Sequence, residues 1–320
     1  MTHARSSSTV VSEFPSPPSC WQPGPPHGTS MSRVRRSTAC TTSAPWTIPF
    51  GSARRSAPPA AWAVVGAGWI GSEVAASARQ LGADVILIDP LPVPLQRVLG
   101  DEIGAVFAQL HADQGVQLRM GTGIAELRGG TAVDQVVLSN GDVEAADLVV
   151  VGIGVVPRVE LAAAAGIGVD NGVVVDEQLR SSAPDVYAAG DIASAWHPHF
   201  RRHLRVEHWA NALNQGITAG GNAAGGADAY DRLPYFFSDQ YDLGMEYVGY
   251  ADPDDAVVVR GSTADREFIA FWHRDGVVTA AMNVNVWDVV EDLKAIIAAG
   301  QVIEPSRLAD DAVALTDLVS

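Results

Sequence analysis

Residues 62–89, WAVVGAGWIGSEVAASARQLGADVILID, decide the fold. Residues 63–65 form a short apolar strand, Gly66-Ala67-Gly68-Trp69-Ile70-Gly71 a glycine loop, then come a helix, a second strand at 85–88 and the acid Asp89. This is the order of the dinucleotide-binding βαβ unit, which takes roughly thirty residues. Gly66 permits the tight turn, Gly68 lets a pyrophosphate approach the backbone at the helix N-terminus, and Gly71 lets the helix pack closely on the sheet. A carboxylate at Asp89 accepts hydrogen bonds from both hydroxyls of an adenosine ribose and repels a 2′-phosphate, which favours NADH over NADPH. The bland alternative is a glycine-rich strand-helix turn that binds nothing. The strand before the loop, the helix after it and the acid at the right distance argue against that.

The 320 residues suffice for more than one domain, and 47% hydrophobic with 18% charged residues is a globular composition. Charge is uneven. Residues 1–60 carry six arginines against Glu13, a net of +5 within a total of −16, which leaves −21 on residues 61–320. That balance disfavours contact with nucleic acid or an anionic membrane. One local basic cluster, Arg201, Arg202, His203 and Arg205, reads as a partner patch or as a solvated loop. No apolar run reaches the roughly 20 residues needed to cross a bilayer, and the N-terminus lacks a hydrophobic signal core, so a cytoplasmic location is expected. Cys20 and Cys40 are the two cysteines, too far apart for a Cys-x-x-Cys pair, so neither disulfide-reductase chemistry nor a bound iron-sulfur cluster is expected. His197, His199 and His203 are closely spaced, but no cysteine or acid completes a ligand set and no metal site is expected.

Beyond Asp89 the periodicity predicts a helix over 101–114, strands at 116–119 and 133–138, a hairpin at Asn140-Gly141, and a buried strand at 146–151 ending in Gly152-Ile153-Gly154. Strands follow at 172–176 and 186–188, the latter ending in Ala189-Gly190-Asp191. There a carboxylate beside a side-chain-free Gly190 can hydrogen-bond a polyol hydroxyl. His208-Trp209 opens a helix over 210–220 whose first-turn amides can face an electron-rich ring carbonyl. From Tyr235 the pattern is a sheet, with strands near 245–250, 256–260, 268–273 and 277–284, then a helix over 287–299. The expected fold is α/β: a Rossmann-like nucleotide-binding domain at 61–155, a partial second nucleotide domain at 156–233 and a C-terminal α+β domain at 234–320.

Five stretches carry a resemblance that covers almost all of residues 62–320: VVGAGWIGSEVAA (64–76), GIGVVPR (152–158), SSAPDVYAAGDIA (181–193), VEHWANALNQG (206–216) and PYFFSDQYDLGMEYVGY (234–250). The chain resembles the FAD-dependent, NADH-oxidising ferredoxin reductases of bacterial cytochrome P450 and dioxygenase systems, relatives of rubredoxin reductases and apoptosis-inducing factor. The resemblance implies that Gly66, Gly68, Trp69, Ile70, Gly71 and Asp89 contact NADH. It implies further that Glu73 helps hold the nicotinamide amide beside the loop Gly152, Ile153 and Gly154, and that Gly190 and Asp191 meet the FAD ribityl chain. Glu207, His208 and Trp209 match the segment beside the flavin ring. Hydride transfer from NADH to the flavin, then single electrons to a ferredoxin-type iron-sulfur protein, is the implied reaction. Glu73, Glu207, His208 and Trp209 would act in it by positioning rather than as acid or base. Glu73 as a solvated acid, Asp191 as a turn cap, and Trp209 and Trp287 as core aromatics are the structural alternatives.

The family's N-terminal FAD fingerprint has no counterpart here. Residues 1–60, rich in Ser, Pro, Thr and Arg and without apolar periodicity, have the composition of a disordered segment. Back-translated in the frame that starts at each codon's third base, 19–34 can be written LLATGTATRHLDVPG and 38–55 RLHYLRTLDDSVRLREA. Both resemble family segments that precede the NADH fold. Residues 1–60 therefore read as out-of-frame translation joined near 58–61 to a reductase. Weak FAD retention and poor solubility are expected from an uncovered half-site.

Overall fold

The structure, a computed structural model, describes residues 9–12 and 60–319. Apart from Thr9–Ser12 and Ala60, the stretch expected to be disordered and out of frame lies outside the described residues, as do both cysteines. Thr9–Ser12 form a strand, β1.

The first body is a parallel sheet. β2 (Ala61–Val65), α1 (Trp69–Gln80), β3 (Asp84–Asp89), α2 (Gln96–Asp113), β4 (Gln117–Met120) and β8 (Leu148–Val151) build it in the strand order β4-β3-β2-β8. An antiparallel excursion of β5 (Ile124–Gly129), β6 (Val133–Leu138) and β7 (Val143–Ala145) separates β4 from β8. The strand expected at 146–151 begins two residues later, at Leu148, because Asp147 pairs with Ala61 and so turns the chain. Its N–H donates to the Ala61 carbonyl at 2.8 Å, and its carboxylate accepts from the Ala61 N–H at 2.9 Å. Helix α2 starts five residues before the expected position. The Leu95 N–H is bonded to the Ala67 carbonyl at 2.9 Å, which anchors the first turn to the glycine loop, and Gly100, at φ 76°, kinks the helix.

The second body holds α3 (Glu160–Ala164), β9 (Val173–Val175), β10 (Val186–Ala189), β11 (Ala193–His197), β12 (Arg202–Leu204) and α4 (Trp209–Ala223). β10 pairs in parallel with β1, and β11 lies between β9 and β12. Of the basic cluster, Arg202 and His203 lie in the short strand β12 while Arg201 and Arg205 flank it, and two members are paired: Arg202 with Asp252 at 2.7 Å and Arg205 with Glu207 at 2.6 Å.

The third body is a five-stranded antiparallel sheet: β13 (Tyr235–Gln240), β14 (Leu243–Gly249), β15 (Ala256–Ser262), β16 (Glu267–Arg274) and β17 (Val277–Val284), in the order β13-β14-β17-β16-β15. α5 (Val290–Ala299) and α6 (Pro305–Ala309) follow. Helix α5 begins three residues after the expected start, leaving Trp287 in the preceding loop, 55% exposed and thus outside any core.

Strand alternation explains how the bodies join. Phe268, Ala270 and Trp272 point to one face with Met245 and Tyr247, while Ile269 and Phe271 point to the other, packed on Leu293, Ile296 and Ile297. The first face is covered by α2 of the nucleotide fold, through Leu99, Ile103, Phe107 and Leu110, a helical stripe. The C-terminal sheet thus shares its core with the nucleotide-binding unit. Ile103→Val, at a fully buried position of this seam, is expected to cost about 1 kcal/mol. Urea unfolding should show it as one transition, coincident by far- and near-ultraviolet circular dichroism, because the seam couples both bodies. Among the described residues no helix is long and apolar enough to cross a membrane.

Candidate functional site

Strand β2 runs into Gly66, whose φ of 97° lies in the left-handed region, and its N–H donates to the Ile88 carbonyl at 2.8 Å. A Cβ there would collide with the Gly152 carbonyl, and a Cβ on Gly71 would collide with the Gly66 carbonyl, so loop, helix and β8 end are packed backbone to backbone. Gly68 is different: nothing lies within 4 Å of where its Cβ would stand. It is the N-cap of α1, which has no side-chain cap and no acid in its first turn. The positive end of a twelve-residue helix therefore opens onto free space, the environment an anionic pyrophosphate requires.

Asp89 has partners of its own. Its carboxylate accepts from the Ala67 N–H at 2.7 Å and from the Leu91 N–H at 2.8 Å, so it braces the glycine loop. Each oxygen keeps a lone pair for a ribose hydroxyl. Ile70 and Ile153, 57% and 72% exposed, stand at the rim beside Gly152 and Gly154. Trp69 turns inward, edge-on to Phe107 at 5.9 Å and to Phe236 at 4.8 Å.

Glu73 is not a solvated acid. It is partly buried and accepts a hydrogen bond at 2.7 Å from Ser238 Oγ on β13, which joins α1 to the C-terminal sheet. Burial raises its pKa above the usual carboxylate value; the Ser238 hydrogen bond opposes this and the Asp239 charge adds to it. Ser238→Ala is expected to lower stability by about 1.5–3 kcal/mol, read from the urea midpoint, since the hydrogen bond to the charged Glu73 is lost together with the one Ser238 accepts from Gln240.

The second constellation lies at the end of β10. Gly190, at φ 78°, donates its N–H to Gln215 on α4 at 2.8 Å. Asp191 follows in a single 3₁₀ turn, and no other described residue donates a hydrogen bond to its half-buried carboxylate. Burial raises its pKa, Glu207 adds to the rise and Arg205 offsets it. Arg205 also donates to the Asp191 backbone carbonyl at 3.2 Å. A half-buried carboxylate that no other described residue hydrogen-bonds fits a polyol hydroxyl such as a ribityl chain offers.

His208 is the N-cap of α4, which lacks a side-chain cap and a first-turn acid. Its ring tilts against Phe236 at 4.3 Å, its Nδ1 is buried without a partner, and burial depresses its pKa to about 4. Trp209 is 60% exposed, not a core aromatic, and with Leu213 and Ile217 it forms an exposed apolar stripe along α4. Glu207 is exposed and paired with Arg205.

The two constellations meet at Phe236, whose ring touches both Trp69 and His208. Phe236, Ser238 and Gln215 were not singled out from the sequence as site residues, and Arg205 was read there only as part of the basic cluster. The clue available was that FFSDQY places the polar Ser238 and Gln240 at alternate positions, on one face of a strand. Among the described residues no group of three or more His, Cys, Asp or Glu could hold a metal ion.

Comparison with known proteins agrees with this geometry. Residues 49–216 match the pyridine nucleotide-disulphide oxidoreductase family and residues 235–319 the reductase C-terminal family. The chain is 44% identical over 257 residues to the ferredoxin--NAD(+) reductase component of the anthranilate 1,2-dioxygenase system of Burkholderia cepacia, covering 79% of this chain and 63% of that one. It is 35% identical over 260 residues to putidaredoxin reductase of Pseudomonas putida, covering 80% of this chain and 62% of that one. Among solved structures, the ferredoxin reductase for the CYP199A2 system of Rhodopseudomonas palustris superposes with a TM-score of 0.77 at 36% identity, over 82% of this chain and 65% of that one. The covalent putidaredoxin reductase–putidaredoxin complex gives a TM-score of 0.78 at 35% identity, over 81% and 63%. The chain thus spans under two thirds of the length of each of these proteins. With its glycine loop, its Ala-Gly-Asp strand end and its C-terminal sheet all in place, the chain belongs to the pyridine nucleotide-disulphide oxidoreductase family.

Proposed function

We propose that this chain is the NADH-binding and C-terminal portion of a cytoplasmic, FAD-dependent ferredoxin reductase of an oxygenase or P450 system. Residues 61–155 form the NADH domain, 156–233 what remains of the FAD domain and 234–320 the reductase cap, with 1–60 out of frame. The observation that carries the reading is the convergence of the glycine loop and the Asp191–Trp209 segment on one aromatic ring, Phe236. FAD, when bound, supplies the exchange between a two-electron hydride donor and a one-electron iron-sulfur acceptor.

The chain's own residues position and exclude. The open N-terminus of α1 takes the pyrophosphate, Asp89 the adenosine ribose, and Glu73 the carboxamide of the nicotinamide. Ile70, Ile153 and the glycines at 152 and 154 keep water from the ring. Asp191 takes a ribityl hydroxyl, and the N-terminus of α4 with Glu207, His208 and Trp209 borders the flavin ring. NADPH should bind at least about tenfold more weakly than NADH, because like charges a few Å apart repel by several kcal/mol at an effective dielectric of about 20. Competitive titration of the two nucleotides checks this.

The function is tested by mixing the purified chain with FAD, removing free flavin, and recording absorbance between about 350 and 500 nm before and after anaerobic NADH. A bound flavin bleached by NADH, passing electrons to an added ferredoxin and on to cytochrome c, supports a working reductase. Electron transfer only to an added rubredoxin would favour rubredoxin reductase. NADH binding without flavin retention would mark a non-enzymatic remnant.

A further inference from the structure

Glu73 is the last member of a chain of hydrogen bonds that crosses the seam between the nucleotide fold and the C-terminal sheet. The Tyr241 hydroxyl lies 3.2 Å from His111 Nδ1, and His111 Nε2 lies 3.1 Å from Gln240 Oε1. Gln240 Nε2 donates to Ser238 Oγ at 3.3 Å, and Ser238 Oγ donates to Glu73 Oε1 at 2.7 Å. His111 and Gln240 are fully buried, and Ser238 is 2% exposed. His111 comes from α2, the other three from β13 and its turn, and Glu73 from α1.

Donor counting fixes the direction of every bond. An ionised Glu73 carries no proton, so Ser238 must donate its single one there. Ser238 then has only acceptor capacity left, so Gln240 must present its amide NH2 to it and its carbonyl to His111. His111 must therefore carry its proton on Nε2 and leave Nδ1 bare, to accept from the Tyr241 hydroxyl. Burial depresses the His111 pKa to about 4, so the ring is neutral near pH 7, as the chain requires. Tyr241 itself occupies the left-handed region, at φ 60°, in the turn between β13 and β14. Gly or Asn is the usual residue there, so a tyrosine is placed against that preference, with its ring edge-on to His111 at 5.6 Å.

We propose that His111 is a positioning residue for the nicotinamide: acting through Gln240 and Ser238, it holds the Glu73 carboxylate as an oriented, unprotonated acceptor for the carboxamide N–H. The C-terminal sheet, not the glycine loop alone, then sets the angle at which the hydride-donating ring is presented. This inference rests on the reading of Glu73 as the nicotinamide contact.

The full chain is titrated with NADH and with ADP-ribose, which lacks the nicotinamide, by calorimetry. His111→Phe and Ser238→Ala should each weaken NADH about three- to tenfold, the worth of one well-placed hydrogen bond, and leave ADP-ribose unchanged. His111→Gln, whose amide can still donate to Gln240, should recover most of the loss. Parallel weakening of both nucleotides, or an unchanged NADH affinity in Ser238→Ala, would overturn the proposal. Nitrogen-15 spectra of the parent chain decide it independently: a pyrrole-type Nε2 and a pyridine-type Nδ1 in His111 are expected, and the reverse tautomer contradicts it. Glu73→Gln separates the two readings. An unchanged NADH to ADP-ribose ratio there sinks the role of Glu73, whereas a changed ratio with silent His111 and Ser238 variants sinks only the relay.

Discussion

Gly66→Ala and Gly71→Ala variants are each expected to bind NADH at least about a hundredfold more weakly than the parent chain, a loss of about 2.7 kcal/mol or more. At Gly66 the cost has two parts. The φ of 97° disfavours any side chain, and the added methyl would meet the Gly152 carbonyl, backbone that cannot step aside without moving β8. At Gly71 the methyl would meet the Gly66 carbonyl, so α1 must lift from the loop and carry its open N-terminus away from the pyrophosphate. Calorimetric titration reads the effect. Gly68→Ala is the contrast: the site of its Cβ is free of protein, so that variant should fold with parental stability and lose affinity only because the methyl occupies ligand space.

Acid should destabilise the fold steeply between pH 7 and pH 5, by about 4 kcal/mol or more, chiefly through His111 and His208, with His197 and His199, also depressed by burial, acting in the same sense. Burial depresses the pKa of both His111 and His208 from 6.5 to about 4. Between those values the unfolded chain binds more protons than the folded one, so stability rises with pH; it is fully present above about 6.5 and lost as pH falls toward 4. Glu73 and Asp191 act in the opposite sense. Their raised pKa values mean that the folded state takes up a proton sooner, which offsets part of the loss at the acid end. Urea unfolding at pH 7 and pH 5 measures the difference, and His111→Phe should remove about 2 kcal/mol of it. A flat profile would contradict the burial of both rings. The expected loss is a large share of the roughly 5–15 kcal/mol that domains possess.

The sequence made the nucleotide fold legible because its signals are local. Strand, glycine loop, helix and Asp89 lie within one short run, and each glycine has a backbone reason visible in the order of residues. The β16–β17 pair was equally readable, since two largely apolar runs, 268–272 and 277–282, flank a turn at Asp275-Gly276. The start of α2 was not legible, because it is set by a bond from Leu95 to Ala67 and not by apolar period. The start of β8 at Leu148 depends on Asp147 reaching Ala61, 86 residues away. The environment of Glu73 was hidden for the same reason: Ser238 is 165 residues distant, and His111 and Gln240 are 129 apart. Trp69, Trp209 and Trp287 show the limit of composition, since the same residue type lies inward at one position and faces solvent at the other two.

The most direct measurement is an equilibrium titration of the purified chain, without added flavin, by NADH and NADPH. Saturable binding of one NADH per chain, with NADPH weaker by at least about tenfold and binding lost in Gly66→Ala, is the result expected of an intact glycine loop with Asp89 at its side. No saturable NADH binding by a chain that unfolds cooperatively would mean that the loop is a strand-helix turn and nothing more.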